Sequence, residues 1–253
     1  MIDSRYVAML ALPPHSRVDR RVPKKLLIEH GAATAADKRY ITEGIEEIRW
    51  LAALKPETTG VQAYRDADRD YSEIAVLSMN LRAGAKATRL MELLHRAIPY
   101  PVLLLTDLEA MAMLSVAHKR RAQNETDKVV LDGELQSVTL NEKRDADWIG
   151  SFCGALAFDH QPRSTLRTVY QGWMDALTAA QAAQLTGTFR LVDAATQSQE
   201  RRDALRVCAQ LKAEIAKLRV AADKERQMPK LVELNNGLKQ LEAEYAATME
   251  RLK

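Results

Sequence analysis

The stretch SEIAVLSMNLRAGAKATRLMELLHRAIPYPVLLLTD, residues 72–107, holds two nearly continuous apolar segments on either side of a helical pattern. The first segment has apolar side chains at both odd and even positions, which is typical of a strand buried on both faces. Between the segments, Leu90, Leu94 and Ala97 recur at helical spacing. The second apolar segment follows at residues 100–107. The order strand, helix, strand predicts a sheet covered by helices.

Upstream of this stretch, the pattern predicts one strand and two helices. Residues 7–12 form an apolar run that ends at two prolines, which indicates a first strand. RRVPKKLLIEHG, residues 20–31, predicts a short helix between Pro23 and Gly31. Over residues 37–57, Ile41, Ile45, Ile48 and Ala52 are spaced four, three and four apart, which predicts an amphipathic helix that ends at Pro56.

Downstream, residues 109–119 favour a third strand, although their alanines and methionines leave a helix open. KVVLDGELQSVTL, residues 128–140, predicts a β-hairpin that turns at Asp132 and Gly133. Residues 164–187 are again helical, with Leu166, Tyr170 and Trp173 on one face. Together these elements predict an α+β fold with a small mixed sheet, and they do not indicate a doubly wound nucleotide-binding fold.

The last part of the chain changes character. Apolar residues recur at heptad spacing on both sides of the segment DKERQMPK, residues 223–230. This pattern predicts a C-terminal antiparallel coiled-coil helical hairpin. We therefore expect an α+β domain over residues 1–196 and the hairpin over residues 197–253, with the first able to fold without the second. The heptad residues are Ala204, Cys208, Leu211, Ile215, Leu218 and Ala222, then Leu231, Leu234, Leu238, Leu241, Tyr245 and Leu252.

Composition sets limits on function. The 253 residues carry a net charge of +3, which is less than a dedicated nucleic-acid-binding protein normally shows. The two cysteines, Cys153 and Cys208, match no metal-binding spacing and favour free thiols in a reducing compartment. No apolar run reaches the roughly 18 residues of a membrane helix, so we expect a cytoplasmic protein without membrane contact.

The motifs of common enzyme and cofactor sites are absent from the sequence. The five histidines show no helical metal spacing, and neither HExxH nor CxxC occurs. No phosphate-binding glycine loop and no GxSxG nucleophile turn is present. We therefore expect no cofactor and no metal site, and we assign no catalytic residues in the leading interpretation.

Two basic clusters are the better lead to function. Phosphate groups are bound by cations and free backbone N–H groups on one surface, so the clusters predict contact with the nucleic-acid backbone without sequence preference. Two other interpretations remain open for the first cluster: a solvated charged face, or ion pairs with Glu43, Glu46 and Glu47. The candidate residues are Arg17, Arg20, Arg21, Lys24 and Lys25, and then Lys119, Arg120 and Arg121.

A metal-dependent nuclease is the alternative from another functional class. Asp107 ends a predicted strand, and Glu134 lies in the predicted hairpin. Carboxylates at adjoining strand ends can hold Mg²⁺, which activates the water that attacks a phosphodiester. Both residues are also ordinary at strand ends and turns, so their types alone do not decide between the two interpretations.

Several segments together resemble a bacterial family, family 4391 of the domains of unknown function. They are MLALPPHSRVDRRVPKKLL (9–27), IRWLAALKPETT (48–59), Glu73-Ile74, RAIPYPVLLL (96–105) and VELNNGLKQLEAE (232–244), in that order along nearly the whole chain. The resemblance implies a companion protein encoded beside helicases and DNA methyltransferases in restriction-like or phage-defence clusters. It implies no chemistry and no catalytic residues.

The leading hypothesis is a non-enzymatic accessory subunit of such a complex. A projecting coiled-coil hairpin usually docks on a partner or dimerises, so the partner would be a helicase or methyltransferase subunit, or a second copy of the chain. Non-specific DNA is a further candidate partner. The residues expected to meet the protein partner are Leu211, Ile215, Leu218, Leu234, Leu238 and Leu241.

Overall fold

The computed structural model describes residues 4–109, 111–122, 129–192 and 195–252. Over these residues the chain divides into two compact units, one up to Leu177 and one from Thr178 on. The helices are α1 (Ser4–Met9), α2 (Lys24–His30), α3 (Ala35–Gly44), α4 (Pro56–Thr59), α5 (Ala87–Ala97), α6 (Ala146–Ala155), α7 (Leu166–Thr186), α8 (Ala195–Lys224) and α9 (Met228–Glu250). The strands are β1 (Arg17–Arg21), β2 (Ile45–Leu54), β3 (Tyr64–Arg65), β4 (Asp70–Tyr71), β5 (Ile74–Leu81), β6 (Val102–Leu108), β7 (Met111–Val116), β8 (Lys119–Arg121), β9 (Val129–Leu131) and β10 (Gln136–Leu140).

Strands β5 and β6 form the centre of a six-stranded sheet with the order β1-β2-β5-β6-β7-β10. They run parallel and are connected by α5, while the other neighbouring pairs are antiparallel. Seven of the eight residues of β5 are buried, as the apolar pattern on both faces requires. The α+β class, the mixed sheet and the strand–helix–strand unit over residues 72–107 are therefore confirmed.

Helix α5 packs its apolar face on this sheet. Leu90, Met91 and Leu94 are at most 2% exposed and belong to one core cluster with residues of β5 and β6. Ile41 of α3 and Leu27 of α2 join the same cluster. The short helix predicted between Pro23 and Gly31 is confirmed as α2, and it lies against the core that α5 builds.

The amphipathic helix predicted over residues 37–57 is correct only as far as Gly44, where α3 ends and β2 begins. Two register shifts interrupt the pairing of β2 with β5, one between Ile45 and Glu47 and one between Trp50 and Ala52. Such irregularities add a residue to one strand and break its two-residue alternation. The buried side chains of Ile45, Ile48 and Ala52 therefore acquired helix-like spacing while lying on a strand.

The strand predicted over residues 7–12 is wrong, because α1 occupies Ser4–Met9. Tyr6 and Leu10 are the buried residues of this segment, four positions apart, while Ala8 between them is exposed. This is the spacing of one helical face. The apolar run was thus helical, and the two prolines ended it without implying a strand.

The hairpin predicted over residues 128–140 is also wrong. Strand β9 pairs with β8 in a separate two-stranded sheet, and β10 pairs with β7 at the edge of the main sheet. Gly133 does adopt a left-handed conformation, with φ +93°. The carboxylate of Asp132 beside it accepts a hydrogen bond from Arg69 at 2.6 Å, and the segment continues to the edge of the main sheet without folding back on β9. Lys128 lies outside the described residues.

Two further predictions in this half of the chain are confirmed. Residues 111–116 form strand β7, which settles the open choice between strand and helix, and Ala110 lies outside the described residues. Residues 166–186 form α7, in which Tyr170 and Trp173 are fully buried. None of the described helices is long and apolar enough to cross a membrane.

The second compact unit contains the end of α7 and the helices α8 and α9. Cys208 of α8 shares an apolar cluster with Tyr245 of α9, and Leu218 lies near Gly237. Residue numbers in these contacts rise along α8, from 208 to 218, while they fall along α9, from 245 to 237. The two helices therefore run antiparallel and form the predicted hairpin. Ala182 of α7 packs in the same cluster. The second unit thus begins at Thr178. That residues 1–196 fold without residues 197–253 stays a prediction.

Gly31 provides a test of how closely α2 approaches α5. A Cβ at this position would lie 2.8 Å from the carbonyl oxygen of Leu93 and 3.0 Å from the Cβ of Ala97. We expect Gly31→Ala to lower the free energy of unfolding by about 1–3 kcal/mol, because backbone atoms must shift to admit the methyl group. Urea denaturation followed by circular dichroism measures the change.

Gly150 is the matched control, since it lies inside α6 and a methyl group there would meet no atom of another element within 4 Å. There, Gly150→Ala should raise stability by about 0.5–1 kcal/mol through the higher helix propensity of alanine. Equal effects at the two positions would contradict the close packing of α2 on α5.

Candidate functional site

Lys24 of the first basic cluster and Lys119 of the second lie at opposite ends of the main sheet, while Arg17 pairs with Ala52 at the level of Val76, near the start of β5. Lys24 follows β1 and lies beside Ile45, at the end where β5 and β6 finish. Lys119 follows β7, whose last residue, Val116, is at the end where β5 and β6 begin. The eight residues of β5 span about 25 Å, which separates Lys24 from Lys119. Arg17 is separated from the second cluster across the sheet, because β2, β5 and β6 lie between β1 and β7.

In the first cluster, Lys24 is used within the fold. Its ammonium group donates hydrogen bonds to the carbonyl oxygens of Thr42, at 3.2 Å, and of Ile45. These carbonyls end α3, and Arg82 donates to the same turn at Glu43. Helix C-termini carry unsatisfied carbonyls and partial negative charge, which cations stabilise. Burial, together with Arg82 and Arg21, lowers the pKa of Lys24.

The remaining cations of this cluster differ in their partners. Arg21 lies 3.8 Å from the carboxylate of Glu47, and Lys25 lies 3.5 Å from Glu29 one helical turn away. Arg17 and Arg20 are exposed on the edge strand β1 and have no carboxylate partner among the residues that the structure describes. Ion pairing thus accounts for Arg21 and Lys25, while Lys24 caps α3, which none of the three interpretations included. Arg17 and Arg20 are the cations of this cluster without a carboxylate partner among the described residues.

In the second cluster, Lys119 is buried, with 3% of the residue exposed. Its ammonium group donates to the carbonyl oxygen of Ile98, the residue that ends α5. Burial lowers the pKa of Lys119 from 10.5 to about 7. Because its side chain is enclosed, Lys119 cannot act as the phosphate contact that the sequence suggested.

The two arginines beside Lys119 have mixed environments. The guanidinium of Arg120 lies 3.8 Å from the carboxylate of Asp132, and Arg121 is exposed. The backbone N–H of Arg121 donates to the carbonyl oxygen of Asp68, which holds β8 against the turn between β3 and β4. Only the side chain of Arg121 in this cluster is well placed for an external ligand.

A buried polar pair lies near Lys119 that sequence analysis did not single out. A 3.0 Å hydrogen bond joins Nε2 of His95 on α5 to Oγ of Ser115 on β7, and both residues are fully enclosed. Burial, followed by the neighbouring charge of Lys119, holds the pKa of His95 well below its usual value. Nδ1 of His95 has no hydrogen-bond partner among the described residues. The pair is therefore neutral, apolar in its surroundings and closed to substrate.

His118 is the centre of a second polar network. Gln171 donates to Asp175 at 3.0 Å and so presents its carbonyl oxygen to Nε2 of His118, at 2.9 Å. Nε2 therefore carries the proton, and Nδ1 accepts the hydrogen bond of the Tyr71 hydroxyl. Burial lowers the pKa of His118 and raises that of Tyr71. Since Tyr71 is fully buried, this chain of bonds connects β4 to α7 and exposes no nucleophile.

The two carboxylates of the nuclease hypothesis are not brought together. Asp107 pairs across the sheet with Ala112 at the start of β7. Glu134 precedes Gln136, which pairs with Val116 at the other end of β7. Ala112 and Val116 are four residues apart on β7, which corresponds to about 13 Å along the strand. Ligands of one Mg²⁺ each lie about 2 Å from the ion, so the two carboxylates are too far apart to share one. Among the described residues, no group of three or more His, Cys, Asp or Glu side chains could hold a metal ion.

The predicted partner-binding residues form the inner seam of the hairpin. Leu211 and Ile215 are buried, at 6% and 8% exposure. Leu218, Leu234, Leu238 and Leu241 remain half-buried. The Arg219–Glu242 ion pair, at 2.6 Å, links the two helices beside this seam. Burial is thus greatest where α7 adds a third helix and weakens toward the turn between α8 and α9.

These features define an α+β protein with a mixed six-stranded sheet and a helical hairpin as its second unit. A family model described as a domain of unknown function (DUF4391) matches residues 10–244. The chain therefore belongs to this family, as the resemblance of its segments predicted. No curated protein and no solved structure matches the chain.

Lys119 gives a pH-dependent test of the site. Its folded pKa of about 7 lies below the unfolded value of 10.5, so the unfolded chain binds more protons between these values and stability rises with pH. We expect wild-type protein to gain about 2 kcal/mol between pH 7 and pH 9 relative to Lys119→Met. We also expect Lys119→Met to be more stable at pH 7 by about 1–3 kcal/mol, because methionine fills the space without a desolvated amine.

Urea denaturation of both proteins at several pH values measures this difference. Lys25→Met is the control, because that side chain is 81% exposed. Parallel pH profiles for wild type and Lys119→Met would show that the amine is not buried in this way.

Proposed function

We propose that the protein is a non-enzymatic accessory subunit of a bacterial anti-phage defence or restriction-modification-like complex. It docks on a helicase or DNA methyltransferase subunit through its helical hairpin and contacts DNA backbone through β1. Membership of the DUF4391 family supports the proposal through the genomic context that the resemblance implies. A non-catalytic role is supported by the use of His95, His118 and Lys24 in bonds within the fold.

The observation that carries the docking proposal is the presence of three exposed large apolar side chains near the turn of the hairpin. Val220 is 53% exposed, Met228 is 68% exposed and Val232 is 52% exposed. All three lie within about 6 Å, along their helix axes, of the ends of α8 and α9 at this turn. Large aliphatic side chains in this environment gain free energy when a partner covers them.

The seam next to this surface has the same character. Leu231, Leu234 and Leu238 of α9 keep part of their side chains accessible although they face α8. Two helices alone bury less of a leucine seam than a bundle does. A helix or groove of a partner subunit that packs along the distal hairpin would complete this burial. Mixed charges beside the seam, such as the Arg219–Glu242 pair, suit a protein partner better than DNA.

Contact with DNA would use the edge strand. Arg17 and Arg20 lie on β1 with side chains in solvent and, among the described residues, without carboxylates that neutralise them. Asp19 between them is drawn away to Arg49, at 2.8 Å. Two unpaired guanidinium groups on one strand are suited to phosphate oxygens and carry no base specificity.

Affinity purification from the native host tests the docking proposal. We expect tagged wild-type protein to retain a helicase or methyltransferase subunit, identified by mass spectrometry. The triple variant Val220→Gln, Met228→Gln, Val232→Gln should lose at least about tenfold of that subunit, because the removed apolar contacts are worth more than about 1.4 kcal/mol. The substituted side chains are exposed, so the hairpin itself should remain folded.

The control is a second triple variant, Lys212→Gln, Lys217→Gln, Lys239→Gln, which changes exposed polar positions on the same helices. It should retain the subunit at the wild-type level. Equal retention by both triple variants, or recovery of neither a helicase nor a methyltransferase with wild type, would count against docking through this surface.

A further inference from the structure

The seam between α8 and α9 has two sides, and an ion pair marks the first of them. Arg219 comes directly after the seam residue Leu218, and its partner Glu242 comes directly after the seam residue Leu241. Because these two side chains meet, residues that directly follow a seam residue lie on this first side of the hairpin. Residues that directly precede a seam residue lie on the second side.

Helix α7 adds to the cover of the first side. Leu205 directly follows the seam residue Ala204, and it belongs to the same apolar cluster as Ala182 of α7. The first side is thus covered by α7 at the base of the hairpin and crossed by the Arg219–Glu242 pair farther along. Within the part of the chain that the structure describes, the second side has no corresponding ion pair.

The second side of α9 carries a regular line of residues. Lys230, Gly237 and Glu244 each precede a seam residue and are spaced seven apart, so they lie along one line of the helix. Lys230 and Glu244 are exposed, and among the described residues neither forms an ion pair. A Cβ at Gly237 would lie 3.2 Å from Cδ2 of the half-buried Leu218. The missing side chain therefore leaves this leucine accessible midway between a cation and a carboxylate.

We propose that the second side is an interface with a second copy of the chain, in which the two α9 helices pack antiparallel and cross at Gly237. Lys230 and Glu244 both lie seven residues, about 10 Å, from this glycine. A two-fold axis at Gly237 therefore places Lys230 of each chain opposite Glu244 of the other. Glycine at the crossing lets the two backbones approach closely. The half-buried leucines of both seams then lie inside a four-helix arrangement.

The order of the charges favours this antiparallel pairing. In a parallel arrangement Lys230 would face Lys230 and Glu244 would face Glu244, and like charges across an interface disfavour association. The antiparallel arrangement makes both contacts attractive. Self-association on the second side does not require docking at Val220, Met228 and Val232, and the purified chain tests it without any other protein.

Sedimentation equilibrium of the full chain measures the association. We expect wild type to form a dimer between about 1 and 100 μM. Lys230→Glu should raise the dissociation constant at least about tenfold, because both symmetric contacts then bring two carboxylates together. Lys239→Glu is the matched control, since it makes the same charge change at an exposed residue that directly follows the seam residue Leu238. It should leave the dissociation constant within about threefold of wild type.

The double variant Lys230→Glu, Glu244→Lys restores opposite charges across the interface. Its dissociation constant should return to within about threefold of wild type. Lys230 also interacts electrostatically with Glu225 in its own chain, a contact that Glu244→Lys cannot restore. Recovery would therefore come from the pairing between chains.

Circular dichroism reports whether each variant keeps its helices. Should Lys230→Glu not fold, Glu244→Lys alone serves instead, because it brings two lysines together at each contact and should weaken the dimer at least about tenfold. A monomeric wild type would overturn the inference. So would a dimer that neither charge reversal weakens, or a double variant that associates no better than Lys230→Glu alone.

Discussion

Helices α3 and α5 both end on lysine side chains that come from elsewhere in the chain. Lys24 donates to the last carbonyls of α3, and Lys119 donates to the carbonyl of Ile98 at the end of α5. Each contact joins a helix to a strand or helix that is distant in sequence. Helix α5 packs its apolar residues in the core cluster on the main sheet, and its C-terminus is followed directly by the connection to β6. Both lysine contacts lie at the end of a helix that contributes to the core cluster on the main sheet.

This arrangement explains why charge clusters were an unreliable guide to a ligand site. A run such as KK or HKRR shows that cations are close in sequence, but a strand or a helix start sends neighbouring side chains in different directions. Lys24 thus turns to α3 while Arg20 faces solvent, and Lys119 is buried while Arg121 is exposed. Only the tertiary partners distinguish a structural cation from one that is available to phosphate. The polar networks around His95 and His118 were missed for the same reason, since their partners lie 20 or more residues away along the chain.

The fold was predictable where the pattern was local. The strands of the central parallel pair and the helix between them follow from residues 72–107, and the heptads of α8 and α9 are equally local. The sequence failed where tertiary pairing altered the local pattern. Bulges in β2 gave Ile45, Ile48 and Ala52 a helical spacing. The two strands that resembled a hairpin, β9 and β10, pair with β8 and β7 instead of with each other.

The central claim is that Lys24 maintains the fold whereas Arg20, four residues earlier, is available to an external anion. The most direct test makes the same substitution at both positions and measures unfolding and DNA binding for each variant. Lys24→Met should lower the free energy of unfolding by about 1 kcal/mol and leave the salt slope of DNA binding unchanged. Arg20→Met should leave stability within about 0.5 kcal/mol and reduce the log–log salt slope by about one. The opposite pattern, with stability lost at Arg20 and the salt slope reduced at Lys24, would contradict this account.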